Sequence, residues 1–590
     1  MSQTLLNNQV KQEEEYKGEP LNPNIAYGPL EERGCRDIFF FILFVFFWVG
    51  LFIIAGVAIK NGDPKRLASP FDSSGNQCGY GSASDYPYMF FSQEGPTSIS
   101  NQIYACIKSC PQQGTTSVEC LTNQAVKSCN QLQLYPSTSF VTVCVPTDNS
   151  LQKSIKSQID IGTLEEWMSD IRTTWPVSLG VAFIAFGVSF IFLILMRTCA
   201  GFITWSMIAG YFILLITLGS LCLYKSYNKS YENVPSDLQN QQALEALGYG
   251  LLVLAGISLL LFLCFFNKIK RAVAIMKAAS DFTRDVWQSF IVPVIMFILI
   301  CGFFVFWITI SLYIYSSGQI KQQSNSPFGS VEWDVGVKRT LVYYLFGLFW
   351  NVEFFIGMSQ LIIASCAAFW YFSHRPNAQL HNPVSKSIIR AFTLHIGSVC
   401  LGSMILSIVM LIRFLVELVY NQAKKNLNNN PAANCCIKCC LCCLKCFEDF
   451  IRFINTNAYI MIGLTGNSFC TSAKDAFFLI SRNAVQFSIT QGIGRIFVFF
   501  GKFFITFFSA IMGYLLITNM TTYSEKIYSA GVPTFLFVVI AFCISSVFMS
   551  IYGMAADTLL MCLCSDKEIN RGRPQSCPQT LQQFENEYMN

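Results

Sequence analysis

Apolar residues in this chain come in long blocks separated by polar stretches, not in short alternations. Residues 1–37 are polar and acidic, as in KQEEEYKGEP, and read as a disordered cytosolic tail without a signal peptide. The block DIFFFILFVFFWVGLFIIAGVAIK then supplies a first span over 38–59, and polar sequence follows over 60–175. Further blocks lie near 176–196, 203–224, 247–266, 290–314, 341–371, 389–419, 455–480, 495–518 and 533–562, ahead of a polar tail over 564–590. A helix needs about 20 apolar residues to cross the hydrocarbon core. The pattern therefore predicts an all-α polytopic membrane protein of about ten transmembrane helices. A large extracellular loop follows the first, and the other nine or so segments form a bundle over 176–563. A β-barrel would show short alternating strands instead. The 455–480 block, within INTNAYIMIGLTGNSFCTSAKDAFFLI, is interrupted by Asn, Gly, Ser and a Lys-Asp pair, and is expected to be broken or re-entrant.

Composition agrees. Of 590 residues, 53% are hydrophobic and 13% charged, against about 25% charged in soluble domains. The net charge of +5 is spread over membrane-flanking loops, with no basic cluster interleaved with aromatics, so nucleic acid is not an expected partner. Basic residues concentrate in NKIKRAVAIMKAASDFTRD, SHRPNAQLHNPVSKS and SDKEINRGRP, which the positive-inside rule makes cytosolic. The long loop then falls outside. Only His374, His381 and His395 are present, and HExxH, GxSxG and phosphate-loop patterns are missing. Neither an enzyme, a cofactor nor a metal site is expected.

Six cysteines lie in the long loop: Cys78, Cys106, Cys110, Cys120, Cys129 and Cys144. An even count in an outside loop suggests three disulfides with the pairing open; free thiols in a cytosolic loop are the competing reading. Asn228 and Asn519 are glycosylation acceptors in predicted outside loops. The run CCIKCCLCCLKC holds Cys435, Cys436, Cys439, Cys440, Cys442, Cys443 and Cys446. On a helix these form two neighbouring stripes, and thiolates along a straight helix do not close a tetrahedron, which disfavours zinc. Flanking lysines suit S-palmitoylation at the membrane edge, with unmodified thiols as the alternative. Counting ten spans puts the run outside, whereas Lys424, Lys425, Lys438, Lys445 and Arg452 argue for inside.

Several stretches resemble the choline transporter-like family. They include NGDPKRLASPFDSSGNQCGYG, YPYMFF, the CVP at Cys144 to Pro146, FW at Phe349-Trp350, LHIGSVCLGSMILSIVMLIRFLVE, the cysteine run, FINTNAYIMIGLTGNSFCTSAKDAF and YGMAADTLLMCLCSDKEINRG. They follow one another over most of the chain. The resemblance implies a ten-span transporter of the plasma membrane or an organelle. It would carry choline, with ethanolamine as a further substrate, for phospholipid synthesis, independently of sodium and with proton exchange suggested.

A trimethylammonium cation donates no hydrogen bond, so aromatic faces and a carboxylate should hold it. In the sixth block Trp350, Glu353, Gly357, Gln360, Ala364 and Tyr371 share one helical stripe. Trp350, Glu353, Gln360 and Tyr371 are therefore the candidate substrate residues, against the alternative of a packing seam. The family pattern carries an amide where Glu353 stands and an acid near Gln360, so the polar face is kept with its charge displaced. Four further groups are candidates for relaying protons or charge. His395 is expected near mid-membrane, Arg413 and Glu417 are spaced to pair at i, i+4, and Asp557 is a third intramembrane acid. The favoured reading is a choline-type transporter working by alternating access, with choline or a related small organic cation and membrane lipids as partners. The rivals are a membrane receptor or adhesion protein, and an ion channel or lipid scramblase.

Overall fold

A computed structural model describes residues 22–582 apart from 73, 93–102, 116, 123–124, 129–133, 141, 148–160, 228–240, 265, 324–325, 377–378, 428–430, 525–526 and 528. The main helices are α1 (Ile38–Asn61), α2 (Ile161–Tyr227), α3 (Gln241–Cys264), α4 (Phe266–Asp285), α5 (Ile291–Ser316), α6 (Val335–Phe372), α7 (Pro383–Leu394), α8 (Ile396–Leu427), α9 (Pro431–Thr465), α10 (Phe469–Arg482), α11 (Ala484–Asn519) and α12 (Gly531–Ile569). Among the described residues nine segments are long and apolar enough to cross a bilayer: α1, two parts of α2, α3, α5, α6, α8, α11 and α12. Their unbroken apolar surfaces explain why the sequence reveals them.

The expected span over 455–480 is not one of the nine. Its first part is the end of α9, and the chain then breaks at Gly466 (φ +70°), where a left-handed turn favours glycine, before α10 begins. Ala458, Tyr459, Ile460, Met461, Ile462 and Leu464 of α9 are each 2% exposed or less, packed among α6 and α8. A helix covered by protein can carry Asn455, Asn457 and Thr465, because neighbouring backbone takes their hydrogen bonds: Asn455 Nδ2 donates to Gly402 O at 2.7 Å. The two blocks near 176–196 and 203–224, expected as separate spans, lie in one helix, α2.

The outside loop folds into a six-stranded sheet of β1 (Tyr88–Ser92), β2 (Ile103–Ile107), β3 (Glu119–Thr122), β4 (Ala125–Ser128), β5 (Ser137–Phe140) and β6 (Val143–Pro146), in the order β4-β3-β2-β1-β6-β5. Disulfides join Cys78 to Cys106 and Cys110 to Cys144. Cys120 is also disulfide-bonded, while Cys129 lies outside the described residues. A second hairpin, β7 (Gln319–Gln323) and β8 (Ser326–Glu332), links α5 to α6.

One end of the bundle is closed by the segment just before α1. Leu30 N donates to Leu464 O at 3.0 Å, and the Arg33 guanidinium reaches the carbonyls of Ile462 and Gly463 at 3.1 and 2.7 Å. Asp37 Oδ2 accepts from Ser398 Oγ at 2.6 Å and from Phe469 N at 2.8 Å, so one carboxylate ties α8 and caps α10. The ends of α6 and α12 meet here too, where Tyr371 Oη donates to Asp566 Oδ2 at 3.0 Å. The predicted basic loop after α3 is the amphipathic helix α4. It buries Ile275, Met276 and Phe282 against α2, α11 and α12 and leaves Lys277 and Arg284 exposed. The basic segments thus gather at this inner end, and the disulfide-bonded sheet stands at the other.

Candidate substrate cavity

The core of the bundle is α6. Asp334 Oδ1 caps it by accepting from Val337 N at 2.9 Å, and 72% of its apolar window is buried, against 44% or less for the other eight segments. Helix α9 runs alongside in the same direction: Glu353 meets Arg452, Gly357 meets Tyr459, and Ser365 meets Gly463. The small residues permit this approach. A Cβ at Gly402 of α8 would stand 2.5 Å from the Tyr459 hydroxyl, and one at Gly357 would stand 3.0 Å from it.

Between α5, α6, α9, α11 and α12 lies a cavity of about 760 Å3. Its polar lining includes Gln360 of α6, Arg452, Thr456 and Asn457 of α9, Gln491 and Arg495 of α11, and Asp557 of α12. Phe297, Phe355, Phe453 and Phe542 supply aromatic wall. Asn457 is 1% exposed and its Oδ1 has no hydrogen-bond partner among the described residues, while its Nδ2 donates to Phe453 O at 2.8 Å. A buried acceptor without a donor is costly, and this one is free to receive a hydroxyl or amine. Gln491 and Arg495 are the polar neighbours of Asp557.

The four candidate substrate residues separate in space. Gln360 lines the cavity. Trp350 does not: its Nε1 donates to Cys400 O at 3.1 Å, and its ring packs on Phe44 and Phe47, each 5.0 Å away between centroids. Tyr371 lies at the inner end against Asp566. Glu353 is 7% exposed and paired with Arg452 at 2.9 Å. The relay candidates separate as well. His395 is not near mid-membrane but at the α7–α8 junction, 1% exposed, with neither ring nitrogen bonded among the described residues. Burial, with the charge of Arg33 close by, holds its imidazole down at about 4, so it stays neutral at physiological pH. Arg413 pairs with Glu448 of α9 at 2.6 Å rather than with Glu417, which is exposed. Asp557 alone of this group faces the cavity.

Sequence reasoning missed the ion network on α9. Arg452 reaches both Glu353 and Glu448 (3.5 Å), and Lys445 reaches Glu448 and Asp449 at 3.6 and 3.0 Å. The i, i+3, i+4, i+7 spacing of Lys445, Glu448, Asp449 and Arg452 was the available signal. It also missed Arg495, which opens an apolar block.

The sequence profile described as plasma-membrane choline transporter matches residues 249–568. Choline transporter-like protein 2 of Dictyostelium discoideum is 30% identical, over 93% of this chain and 93% of that protein. The chain belongs to the plasma-membrane choline transporter family. It is 24% identical to choline transporter-like 1 of Aedes aegypti (93% of this chain, 91% of that one) and 27% identical to choline transporter-like protein 4 of Xenopus laevis (95% of each). As a member of the choline transporter family it is a multi-pass membrane transporter of the plasma membrane, and the cavity lies wholly within the matched residues.

In this family member the cysteine run is the exposed first half of α9, with all seven thiols free. Because α9 parallels α6, Cys435 lies 17 residues, or about 25 Å, from Arg452 toward the disulfide-bonded end. That position agrees with the count of spans rather than with the flanking lysines. Lys445 is engaged with Glu448 and Asp449 and carries no sidedness signal. A membrane-impermeant maleimide is expected to label Cys435–Cys446 in intact cells, with the signal lost when all seven are changed to Ser. Labelling only after permeabilisation would reverse the orientation of α9. Asn519 is exposed at the same outer end as the sheet, and Asn228 lies outside the described residues.

Proposed function

We propose that the cavity binds choline or a related small organic cation and carries it across the plasma membrane by alternating access. The observation that carries this reading is the placement of Asp557. It is a carboxylate of a membrane-spanning helix, turned into a large cavity with four phenylalanines in its wall and no carboxylate-bearing neighbour on α11. An intramembrane acid is expensive to keep and is by default functional. A quaternary ammonium is attracted to it by charge and to the rings by cation–π contact, about 0.5–2 kcal/mol each. The choline hydroxyl can donate to Asn457 Oδ1, the acceptor left open in the wall. The names of the relatives, all choline transporter-like, favour the same substrate class. Ethanolamine, with its ammonium hydrogens, would use Asp557 and Gln360 more than the rings. Exchange against protons would be carried by Asp557, the one relay candidate in contact with the cavity; no sodium site is part of the proposal.

Asp557→Asn keeps the side-chain volume and removes the charge. Choline binding to the purified protein is expected to weaken about tenfold, the effect of about 1.4 kcal/mol, with the melting temperature little changed and Asp557→Glu partly restoring affinity. Unchanged choline affinity in well-folded Asp557→Asn would move the cation site elsewhere.

A further inference from the structure

We propose that the cavity extends into a second subsite, between α11 and α12, that takes the phosphate and hydrocarbon chain of a zwitterionic single-chain amphiphile whose amine lies at Asp557. This rests on the reading of Asp557 as the cation's partner.

The first reason is continuity. A smaller cavity of about 360 Å3 shares Gln491, Arg495, Phe542, Ser550 and Asp557 with the central one. A groove of about 450 Å3 shares Phe499, Lys502 and Phe542 with that smaller cavity. The path thus leads from Asp557 past Lys502 to a groove on the α11–α12 face. The whole is far roomier than a molecule of seven heavy atoms requires.

The second reason is charge. Lys502 stands 15 residues from Phe487 and 17 from Asn519, the ends of its membrane segment, and so lies near mid-membrane. Among the described residues no carboxylate comes within 4.0 Å of it; its Nζ lies 5.9 Å from the centre of the Phe542 ring. A lone ammonium at that depth marks a ligand pathway and needs an anion. Lys502 lines the smaller cavity and the groove but not the central cavity, so it offers nothing to a bare organic cation held at Asp557. With Arg495 on the same helix also facing the smaller cavity, the two cations lie across from Asp557. Opposite charges on facing walls suit a ligand that carries both.

The third reason is the groove itself. Phe499, Phe503 and Phe507 stack at successive turns, with centroids 6.5 and 5.7 Å apart, and line it together with Ile511 and Val538. A surface this apolar beyond a single lysine fits a hydrocarbon chain attached to a phosphate.

The test uses the purified full-length protein in lipid nanodiscs and measures displacement of labelled choline. The probes are glycerophosphocholine, which has no chain, and palmitoyl-lysophosphatidylcholine below its micellar concentration. Both are expected to displace choline, the chain-bearing probe more strongly. Lys502→Gln should raise the concentration of either probe needed by about tenfold, a charge-pair effect, and leave choline itself unchanged; Lys502→Arg should restore the wild-type value. Phe503→Ala should weaken only the chain-bearing probe. If neither probe displaces choline, or Lys502→Gln weakens choline and both probes alike, the subsite is overturned. If choline binding ignores Asp557→Asn, the reading of the amine site fails instead, and the two failures are distinguishable.

Discussion

Glu353→Gln is expected to destabilise the bundle by about 2–4 kcal/mol, much more than a cation-site change would cost choline affinity. Glu353 is 7% exposed and makes a 2.9 Å ion pair with Arg452. Removing one partner of a buried pair leaves the other charge uncompensated, which costs about 3–5 kcal/mol. Two features reduce the figure here. The Arg452 side chain is 40% exposed toward the cavity, and Glu448 lies 3.5 Å from its guanidinium and can take over part of the compensation. The reciprocal change Arg452→Gln should be at least as damaging, since it strands Glu353 and weakens the hold on Glu448 together. The double variant should recover most of the loss, because two amides can hydrogen-bond across the same gap. Thermal unfolding of all three in one detergent gives the coupling energy. Equal losses that simply add in the double variant would show that the pair contributes nothing beyond side-chain packing.

Gly397→Ala should be comparably severe, at about 3 kcal/mol. A Cβ at Gly397 would overlap the backbone carbonyl of Asp37 and approach that of Arg36. These are main-chain atoms and cannot swing aside. They are fixed by Arg36 N donating to Leu394 O at 3.1 Å and by the two hydrogen bonds to Asp37 Oδ2. The methyl group must therefore push the start of α1 off the α8 and α10 termini. Gly302→Ala is the control: nothing lies within 4 Å of its added Cβ, so it should be neutral or slightly stabilising. Proteolysis of the segment before α1, compared between the two, reports the displacement directly. Equal protection in both would mean that the closure of the inner end does not depend on this contact.

The fold was legible wherever an apolar block faces lipid. Exposed faces such as those of α1 and α5 must be apolar throughout, so hydropathy alone finds them. It fails for α9, whose second half is wrapped by protein and is free to carry asparagines. The site was less legible. The stripe holding Trp350, Glu353, Gln360 and Tyr371 is real, but a helical wheel cannot say which neighbour covers each turn of a 38-residue helix. Trp350 is covered by α1 and α8, Glu353 by α9, and Tyr371 by α12; only Gln360 is left facing the cavity. The partner of Glu353 is 99 residues away in sequence, within a cluster whose charge had been read as a sidedness signal. Likewise the i, i+4 spacing of Arg413 and Glu417 offered a local pair, and the nearer carboxylate turned out to belong to another helix. Local periodicity cannot anticipate such long-range competition.

The closure of the inner end also sets an order of events during synthesis. The disulfide-bonded sheet draws its strands from residues 88–146, and its two assigned bridges close separations of only 28 and 34 residues. It can therefore fold in the lumen while most of the bundle is still untranslated. The segment before α1 is made earlier still, yet two of its anchors are 429 and 432 residues downstream: Ile462 for Arg33 and Phe469 for Asp37. Contacts of that separation form late. A nascent chain stopped before Ile462 thus carries a finished outer domain over an inner end held only by Leu394 and Ser398, with Arg33 and the second bond of Asp37 still waiting for α9 and α10.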